Sequence, residues 1–378
     1  MLALMYLVAS PKQTGYLSAL RKTWAVYDLD LEDMASKSSF SEARAEISFV
    51  FFKESFEEQV QAIRPKLPQL KGLTVYGVDG DQLELPASTD ILDHGYRGFL
   101  CKGNTETHYP RMYYTAKVEV FSGIVVELMQ SARNDECKNA VEMAKKTESN
   151  SISLYDRLHF SIDLATAHES SKSFYIARLK NGTRVLLELQ DFIKSKRKAK
   201  RICIDGIMIR FIRVKNPETK EWMYLATNLP RGLFKIREIQ WLYWRRYDVE
   251  TVFRDLTAVH SLGVWHSTKM NGILQEFYLQ FYLHNCSRFL ILSTGGIEVI
   301  KDWKTGEYHR PNFKLIREYF IDNIKLLVQR FLDQFKYGIK ILIQKSMELR
   351  KYFSRISPRQ VKYTKNTYQS ASLIKRRC

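Results

Sequence analysis

Residues 243–257 read YWRRYDVETVFRDLT, and this stretch decides the fold because it predicts a helix with charged groups on its buried side. Tyr243, Arg246 and Glu250 fall at positions i, i+3 and i+7, so a helix stacks all three on one face. The apolar stripe beside them consists of Val249, Val252, Phe253 and Leu256. A stripe of this kind packs a helix against a core. The carboxylate next to it needs a partner, and metal ligation supplies one.

Two isolated acids upstream stand where apolar runs end. Asp79 follows LTVYGV at residues 73–78, and Gly80 permits a tight backbone turn directly after it. Asp156 follows SISLY at residues 151–155. Both runs have the composition of buried strands. Two acids at strand ends and a third on a helix can together hold divalent cations for phosphoryl chemistry.

Each motif also has a simpler interpretation. An Asp-Gly pair is usually a turn, so Asp79 alone indicates little. Asp156 and Arg157 can form a local surface ion pair that contributes little to stability. The charged helix face can be an ordinary solvated face with an Arg246–Glu250 contact. The joint order of the three motifs favours a catalytic site.

The helix motif resembles that of DDE transposases of the insertion-sequence-four family, whose signature is Y-x2-R-x3-E-x6-K. Tyr243, Arg246 and Glu250 match this signature at the family's spacing. Thr257 stands where the family has its terminal Lys, so one charged contact of roughly 1.5–3 kcal/mol is absent at that position.

The two upstream acids match the same family. Asp79 with Gly80 corresponds to the family's first acid, and Asp156 with Arg157 corresponds to the second. Leu158 stands where the family usually has Gly. The resemblance covers roughly residues 40–290 and extends through FSEARAEIS and WHSTKMNGILQEFYLQFYLHN.

The resemblance implies an α/β, or mixed α+β, fold. Its core would be an RNase H-like mixed sheet flanked by helices, with an inserted β-rich subdomain and helical N- and C-terminal regions. The implied division is 1–65, a helical DNA-binding region; 66–180, the first part of the catalytic core; 181–235, the β-rich insertion; 236–295, the second part of the core with the glutamate helix; and 296–378, a basic helical region and tail.

The resemblance also implies the chemistry. Asp79, Asp156 and Glu250 would be catalytic and would bind two Mg²⁺ or Mn²⁺ ions, which suit oxygen ligands equally. The reaction would be cut-and-paste transposition on double-stranded DNA, with transposon ends and target as substrates and a homodimer as the acting species. Arg246 and Tyr243 would bind phosphates near the cleaved bond.

Further residues are candidates for DNA contact. Arg157 follows the second acid, and a basic run includes Lys196, Arg197 and Lys198. Such a run can equally be a solubilising loop. The resemblance adds N-terminal phosphate contacts at Arg21, Lys22 and Arg44, and an aromatic that stacks on a flipped base, with candidates Trp222, Trp241 and Trp265.

Composition agrees with a nucleic-acid enzyme. The 378 residues carry a formal net charge of +18, which favours polyanions. The five cysteines are scattered and show no C-x-x-C pair, so neither a disulfide framework nor a structural zinc site is indicated. We interpret the apolar start MLALMYLVAS as a buried segment, and no run is long enough to cross a bilayer. A cytoplasmic, nucleoid-associated protein is expected.

Local patterns predict individual elements. Ser39, with Glu42 three residues later, predicts the N-cap of a helix. LLELQDFI at residues 186–193 predicts a strand, and residues 313–353 predict long amphipathic helices.

Two other functions stay open at this stage. The missing Lys is compatible with a catalytically impaired DNA-binding remnant, or an inhibitor of a full-length transposase. An RNase H-like nuclease that cuts without joining strands is the third possibility.

Overall fold

Helices dominate both ends of the chain in the computed structural model. The structure describes residues 1–9, 15–98, 109–180, 189–195, 197–216, 221–294, 299–302, 307–330, 332–345 and 347–351. The helices are α1 Leu2–Ala9, α2 Tyr16–Val26, α3 Lys37–Glu46, α4 Phe49–Ile63, α5 Thr89–Asp93, α6 Glu136–Lys145, α7 Ile162–Ser170, α8 Gln190–Lys194, α9 Ile236–Arg245, α10 Tyr247–Ala258, α11 Met270–Ser293, α12 Phe313–Asp322, α13 Ile324–Val328 and α14 Leu332–Lys345.

An eight-stranded mixed sheet forms the centre, in the order β3-β2-β1-β4-β5-β8-β7-β6. Its strands are β1 Thr74–Glu84, β2 Arg111–Glu119, β3 Ile124–Ser131, β4 Ser151–Tyr155, β5 Phe174–Arg178, β6 Ala199–Ile204, β7 Ile207–Lys215 and β8 Trp222–Thr227. A second sheet contains β9 Val299–Asp302, β10 Glu307–Pro311 and β11 Met347–Lys351.

The first five strands combine an antiparallel meander with two parallel pairings. β1, β2 and β3 are antiparallel neighbours, and Gly123, with φ of 73°, lies in the turn that joins β2 to β3. β4 and β5 then pair in parallel, and each is preceded by a helix that returns the chain to the same edge. The mixed α+β architecture is confirmed, and it is consistent with an RNase H-like sheet.

The β-rich segment after β5 continues the central sheet instead of forming a sheet of its own. β8 pairs antiparallel with β5, and β7 and β6 follow as a hairpin. Asp205 and Gly206 make the hairpin turn with φ of 49° and 81°, the left-handed pair that a tight two-residue turn needs.

The strand predicted at residues 186–193 is wrong for its second half. Residues 190–194 form α8, whose Phe192 is buried against the sheet, and 186–188 lie outside the described residues. The packing of Phe192 from a helix outweighs the β propensity of this segment.

Helix α3 begins earlier than its capping pattern predicts. Ser36, not Ser39, is the N-cap, and its hydroxyl accepts a hydrogen bond from Ser39 N at 3.1 Å. The predicted phosphate contact at Arg44 on this helix is also wrong. Arg44 is 5% exposed and donates to Glu276 of α11 at 2.6 Å, so it joins α3 to the core.

The C-terminal region has shorter helices than predicted. Asn323 ends α12, and Arg330, with φ of 62°, follows α13. Residues 347–351 are a strand paired with β10, so the helical prediction is wrong there. The N-terminal segment is buried as predicted, with Leu7 and Val8 fully inaccessible. No described helix combines the length and apolar character needed to span a bilayer.

Candidate active site

Asp79 and Asp156 lie on the same face of the sheet because of strand register. Val75 on β1 and Leu154 on β4 both belong to the core cluster packed under α9. Side chains alternate along a strand, so Asp79, four residues after Val75, and Asp156, two after Leu154, point to that face as well. β1 and β4 pair in parallel with Gly77 opposite Leu154, which brings the two acids level with each other.

Helix α10 reaches this face because β1 has a glycine under it. A Cβ on Gly77 would overlap Cγ2 of Val249, so only glycine allows the helix to pack so closely. The predicted stripe of α10 is buried: Val249, Val252, Phe253 and Leu256. The helix that was predicted as continuous is interrupted at Arg246, which separates α9 from α10.

Arg246 connects the helix acid to the strand acid. One terminal nitrogen donates to Asp79 Oδ2 at 3.1 Å, and the other donates to Glu250 Oε1 at 3.0 Å. Arg246 is 6% exposed, whereas the Glu250 side chain is 52% exposed. The structure therefore places Asp79 and Glu250 on one guanidinium, with Asp156 level with Asp79. Asp79 lies in the middle of β1, which continues through Gly80 to Glu84, so the predicted strand end and tight turn at Asp79 and Gly80 are wrong.

Two residues that the sequence analysis missed complete the cluster. His159 Nδ1 lies 2.7 Å from Asp156 Oδ1, and its Nε2 lies 3.1 Å from Glu136 Oε1. Glu136 in turn accepts from Gly80 N at 3.0 Å. The signal available in the sequence was the spacing of Asp156 and His159, since i+3 brings a side chain back over a turn. Nothing in the sequence linked Glu136 to Gly80, which is 56 residues away.

The acids differ in protonation. Burial raises the pKa of Asp79 to about 7, against the opposing effect of Arg246, and the neighbouring Glu136 and Asp156 add to the increase. Burial alone would also raise the pKa of Asp156, but hydrogen bonds from His159 and Leu158 N outweigh it and lower that pKa. The hydrogen bonds of His159 to Asp156 and Glu136 outweigh the effect of its burial and raise the pKa of His159 to about 9.

The donor set fits a hard divalent cation. Asp79, Asp156 and Glu250 offer carboxylate oxygens, which Mg²⁺ and Mn²⁺ prefer. Asp79 and Glu250 both form ion pairs with Arg246, and Asp156 contacts His159. Within the described part of the chain, no three His, Cys, Asp or Glu side chains are already arranged to coordinate a metal ion.

The predicted DNA-contact residues divide by exposure. Arg157, Arg197 and Lys198 are exposed, and Lys196 lies outside the described residues. Tyr243 is 1% exposed in the core cluster under α9, so its predicted phosphate contact is not accessible in this structure. Burial raises its pKa to about 12.

The three tryptophans that are candidates for base stacking also differ in exposure. Trp241 is buried against Phe121, and Trp265 donates its indole N–H to Glu84 O at 2.8 Å. Trp222 is 49% exposed, with the Arg213 guanidinium 4.0 Å from its ring centroid.

The two departures from the family signature are both accommodated. Leu158 is 53% exposed and its N–H donates to Asp156 Oδ1 at 2.7 Å, so the turn after the second acid forms without Gly. The Thr257 hydroxyl donates to Phe253 O at 2.9 Å, within its own helix.

Comparison with known proteins gives the family. A family model described as "Transposase DDE domain" matches residues 88–286, more than half of the chain. The chain belongs to the transposase DDE domain family. The matched region of this DDE domain contains Asp156 and Glu250, while Asp79 lies nine residues before it. Transposase DDE domains generally use divalent metal ions.

Among solved structures, the DDE domain protein is similar to the piggyBac transposase in a synaptic complex with hairpin DNA. The TM-score is 0.43 at 14% identity, covering 80% of this chain and 62% of that chain. The chain therefore spans less than two thirds of that transposase. No curated protein matches.

Proposed function

We propose that this protein is a DNA transposase of the insertion-sequence-four type, which excises and inserts an element by phosphodiester hydrolysis and strand transfer. The observation that carries the proposal is the convergence of Asp79 and Glu250 on Arg246, with Asp156 level with Asp79 on the same sheet face. Tyr243, Arg246 and Glu250 at the signature spacing support the assignment to that type.

Asp79, Asp156 and Glu250 are the residues that would hold two Mg²⁺ or Mn²⁺ ions. Ions of this kind supply nucleophile activation and stabilisation of the leaving oxygen in phosphodiester chemistry. Burial raises the pKa of Asp79 to about 7. Ligation would require the deprotonated form of Asp79.

The remaining residues position and balance these acids. His159 orients Asp156 through the 2.7 Å contact with Oδ1 and carries a positive charge beside it. Arg246 balances the charge of Asp79 and Glu250, and its planar fork of donors suits a DNA phosphate equally well. Exchange of Arg246 between carboxylates and phosphate would couple DNA binding to exposure of the acids.

Double-stranded DNA, as transposon ends and as target, is the proposed partner. The net charge of +18 supports binding to a polyanion, and the exposed Arg157, Arg197 and Lys198 are proposed backbone contacts. Trp222 is the most exposed of the three candidates for base stacking. Action as a homodimer, and the division of the chain at residues 65, 180, 235 and 295, belong to the same proposal.

The test is Glu250→Gln in an assay with Mn²⁺ and DNA that carries the element's own ends. We expect cleavage and joining to fall by about a thousandfold or more while DNA affinity is retained, since the variant removes one ligand charge and little volume. Glu57→Gln is the matched control. Its side chain is 55% exposed against 52% for Glu250, and it too contacts a cation at i−4, Lys53.

Two other outcomes point to the alternatives. DNA binding without metal-dependent cleavage by the unmodified protein would indicate a catalytically impaired remnant or an inhibitor of a full-length transposase, a reading that the Thr257 substitution favours. Cleavage without joining would indicate a nuclease of the same fold.

A further inference from the structure

A second charged region lies at the other end of the sheet, in a cleft of about 620 Å³ between the outer strands and the start of α9. Seven residues of the described part of the chain line this cleft, and none of these seven is acidic. Five of them are the cations Lys198, Arg210, Arg231, Lys235 and Arg237. The N-terminal end of α9 adds the partial positive charge of the helix dipole.

Arg210 is the most informative of these residues. It shares a face of β7 with Ile212 and Val214, which pack in the core under α9. It is only 7% exposed, yet its Nε and Nη1 have no hydrogen-bond partner among the described residues. Burial of the guanidinium, together with Arg231 and Arg201, lowers the pKa of Arg210. A buried guanidinium in cationic surroundings is costly unless an anion reaches it.

The acid that adjoins Arg237 in sequence, Glu238, is engaged elsewhere. Glu238, in the first turn of α9, accepts from the Lys235 backbone N–H at 2.7 Å and from Lys71 Nζ at 2.9 Å. Its carboxylate therefore caps the helix and pairs with Lys71. It does not line the cleft.

We propose that this cleft is a phosphate-binding site, with the Arg210 guanidinium as its central donor and Arg231 and Lys235 closing over the bound group. A guanidinium offers paired donors that match two phosphate oxygens, and a helix N-terminus favours the same charge. On DNA, the group would be either a terminal phosphate of a strand or an internal phosphate of the duplex backbone. The DNA form of this inference rests on the proposed function, whereas binding of inorganic phosphate does not.

The first test uses inorganic phosphate and thermal unfolding of the full chain. At low millimolar concentration, where the general stabilisation by excluded salts is small, sodium phosphate is expected to raise the unfolding temperature above that in sodium chloride of equal ionic strength, because a ligand of the folded state stabilises it. Arg210→Met should weaken phosphate binding about tenfold or more. Arg201→Gln is the matched control, because Arg201 lies opposite Arg210 in the β6–β7 register without lining the cleft.

Three results would overturn the site: no stabilisation by phosphate beyond that by chloride, equal stabilisation of Arg210→Met, or an equal loss in Arg201→Gln. If Arg210→Met does not fold, Arg231→Gln combined with Lys235→Gln replaces it. Both residues are exposed, so the combination spares the core. It is expected to weaken phosphate binding several-fold, and unchanged binding would also overturn the proposal.

The second test uses two duplexes that differ only in a 5′-phosphate or a 5′-hydroxyl. A terminal phosphate in the cleft predicts that the unmodified protein prefers the phosphorylated duplex about tenfold and that Arg210→Met loses this preference. If the cleft binds a backbone phosphate, the unmodified protein should bind both duplexes with equal affinity. Arg210→Met should then lose the same amount of affinity for each duplex, and more than Arg201→Gln loses. Equal affinities of the two variants for both duplexes would contradict the proposal that the cleft binds a phosphate of DNA. None of these readouts requires cleavage, so they fail separately from the proposed catalysis.

Discussion

Arg246 and Arg210 are almost equally buried, at 6% and 7% exposure, but their surroundings are opposite. Arg246 donates to two carboxylates at 3.1 and 3.0 Å. Arg210 lies among cations and leaves two nitrogens unpartnered within the described residues. Burial of a guanidinium is unfavourable in both places. The protein offsets it internally at the first site, and the second site depends on an anion from outside.

The largest effect on stability is expected from removing Arg246, and removing Arg210 provides the contrast. Arg246→Met leaves Asp79 buried beside Glu136 and Asp156 without its main opposing charge, so we expect a loss of about 3–5 kcal/mol in the free energy of unfolding. Arg210→Met removes an unpartnered charge, so the free energy of unfolding should stay unchanged or rise by about 1 kcal/mol. Urea unfolding at pH 8 without divalent ions measures both.

The comparison fails if the two variants lose similar stability. A loss at Arg210 as large as that at Arg246 would mean that the protein itself supplies a partner for the Arg210 guanidinium.

A smaller effect is expected from two glycines, Gly77 under α10 and Gly206 in the turn between β6 and β7. Gly77→Ala brings a Cβ into Cγ2 of Val249 and should cost about 1–3 kcal/mol by overpacking, while displacing α10 from Asp79. Gly206→Ala meets no atom within 4 Å, so its cost of about 1 kcal/mol comes from the φ of 81° alone. Thermal unfolding gives both losses.

The readout that separates the two glycines is DNA cleavage. We expect Gly77→Ala to lower it well beyond the loss of folded protein, because Glu250 moves with α10. Gly206→Ala should lower it only in proportion to the unfolded fraction. Equal specific activities would show that the close approach of α10 to β1 is not needed.

A separate effect concerns the pH dependence of stability. The folded-state pKa of His159 is about 9, above its usual 6.5, so its stabilising contribution is complete below pH 6.5 and is lost as the pH rises to 9. The slope is at most about 1.4 kcal/mol per pH unit. His159→Gln should flatten the profile measured by urea unfolding with EDTA. Arg210→Met, in the region without an acid, should keep the slope of the unmodified protein.

Most strands of the sheet and about half of the site residues could be predicted from the sequence. The apolar runs before Asp79 and Asp156 and the stripe of α10 were legible because alternation and helical spacing are local properties. Glu136 was not, because its contact with Gly80 depends on how α6 packs against β1. The outer strands were recognised as strands, but their hydrogen bonding to β5 is a matter of tertiary pairing. The same limit hid Arg210, whose lack of partners is visible only when its neighbours are known.

The buried contact between Arg44 and Glu276 has a consequence for how such proteins can change during evolution. Glu276 is 1% exposed, and it also faces the His266 backbone N–H at 3.1 Å. Loss of the first sixty-five residues would remove the Arg44 guanidinium that contacts this carboxylate and the neighbouring Gln275. It would also uncover the face of α11 on which α4 packs. The N-terminal helices are consequently no detachable module, and a shortened descendant would have to rebuild α11 before it could keep the fold.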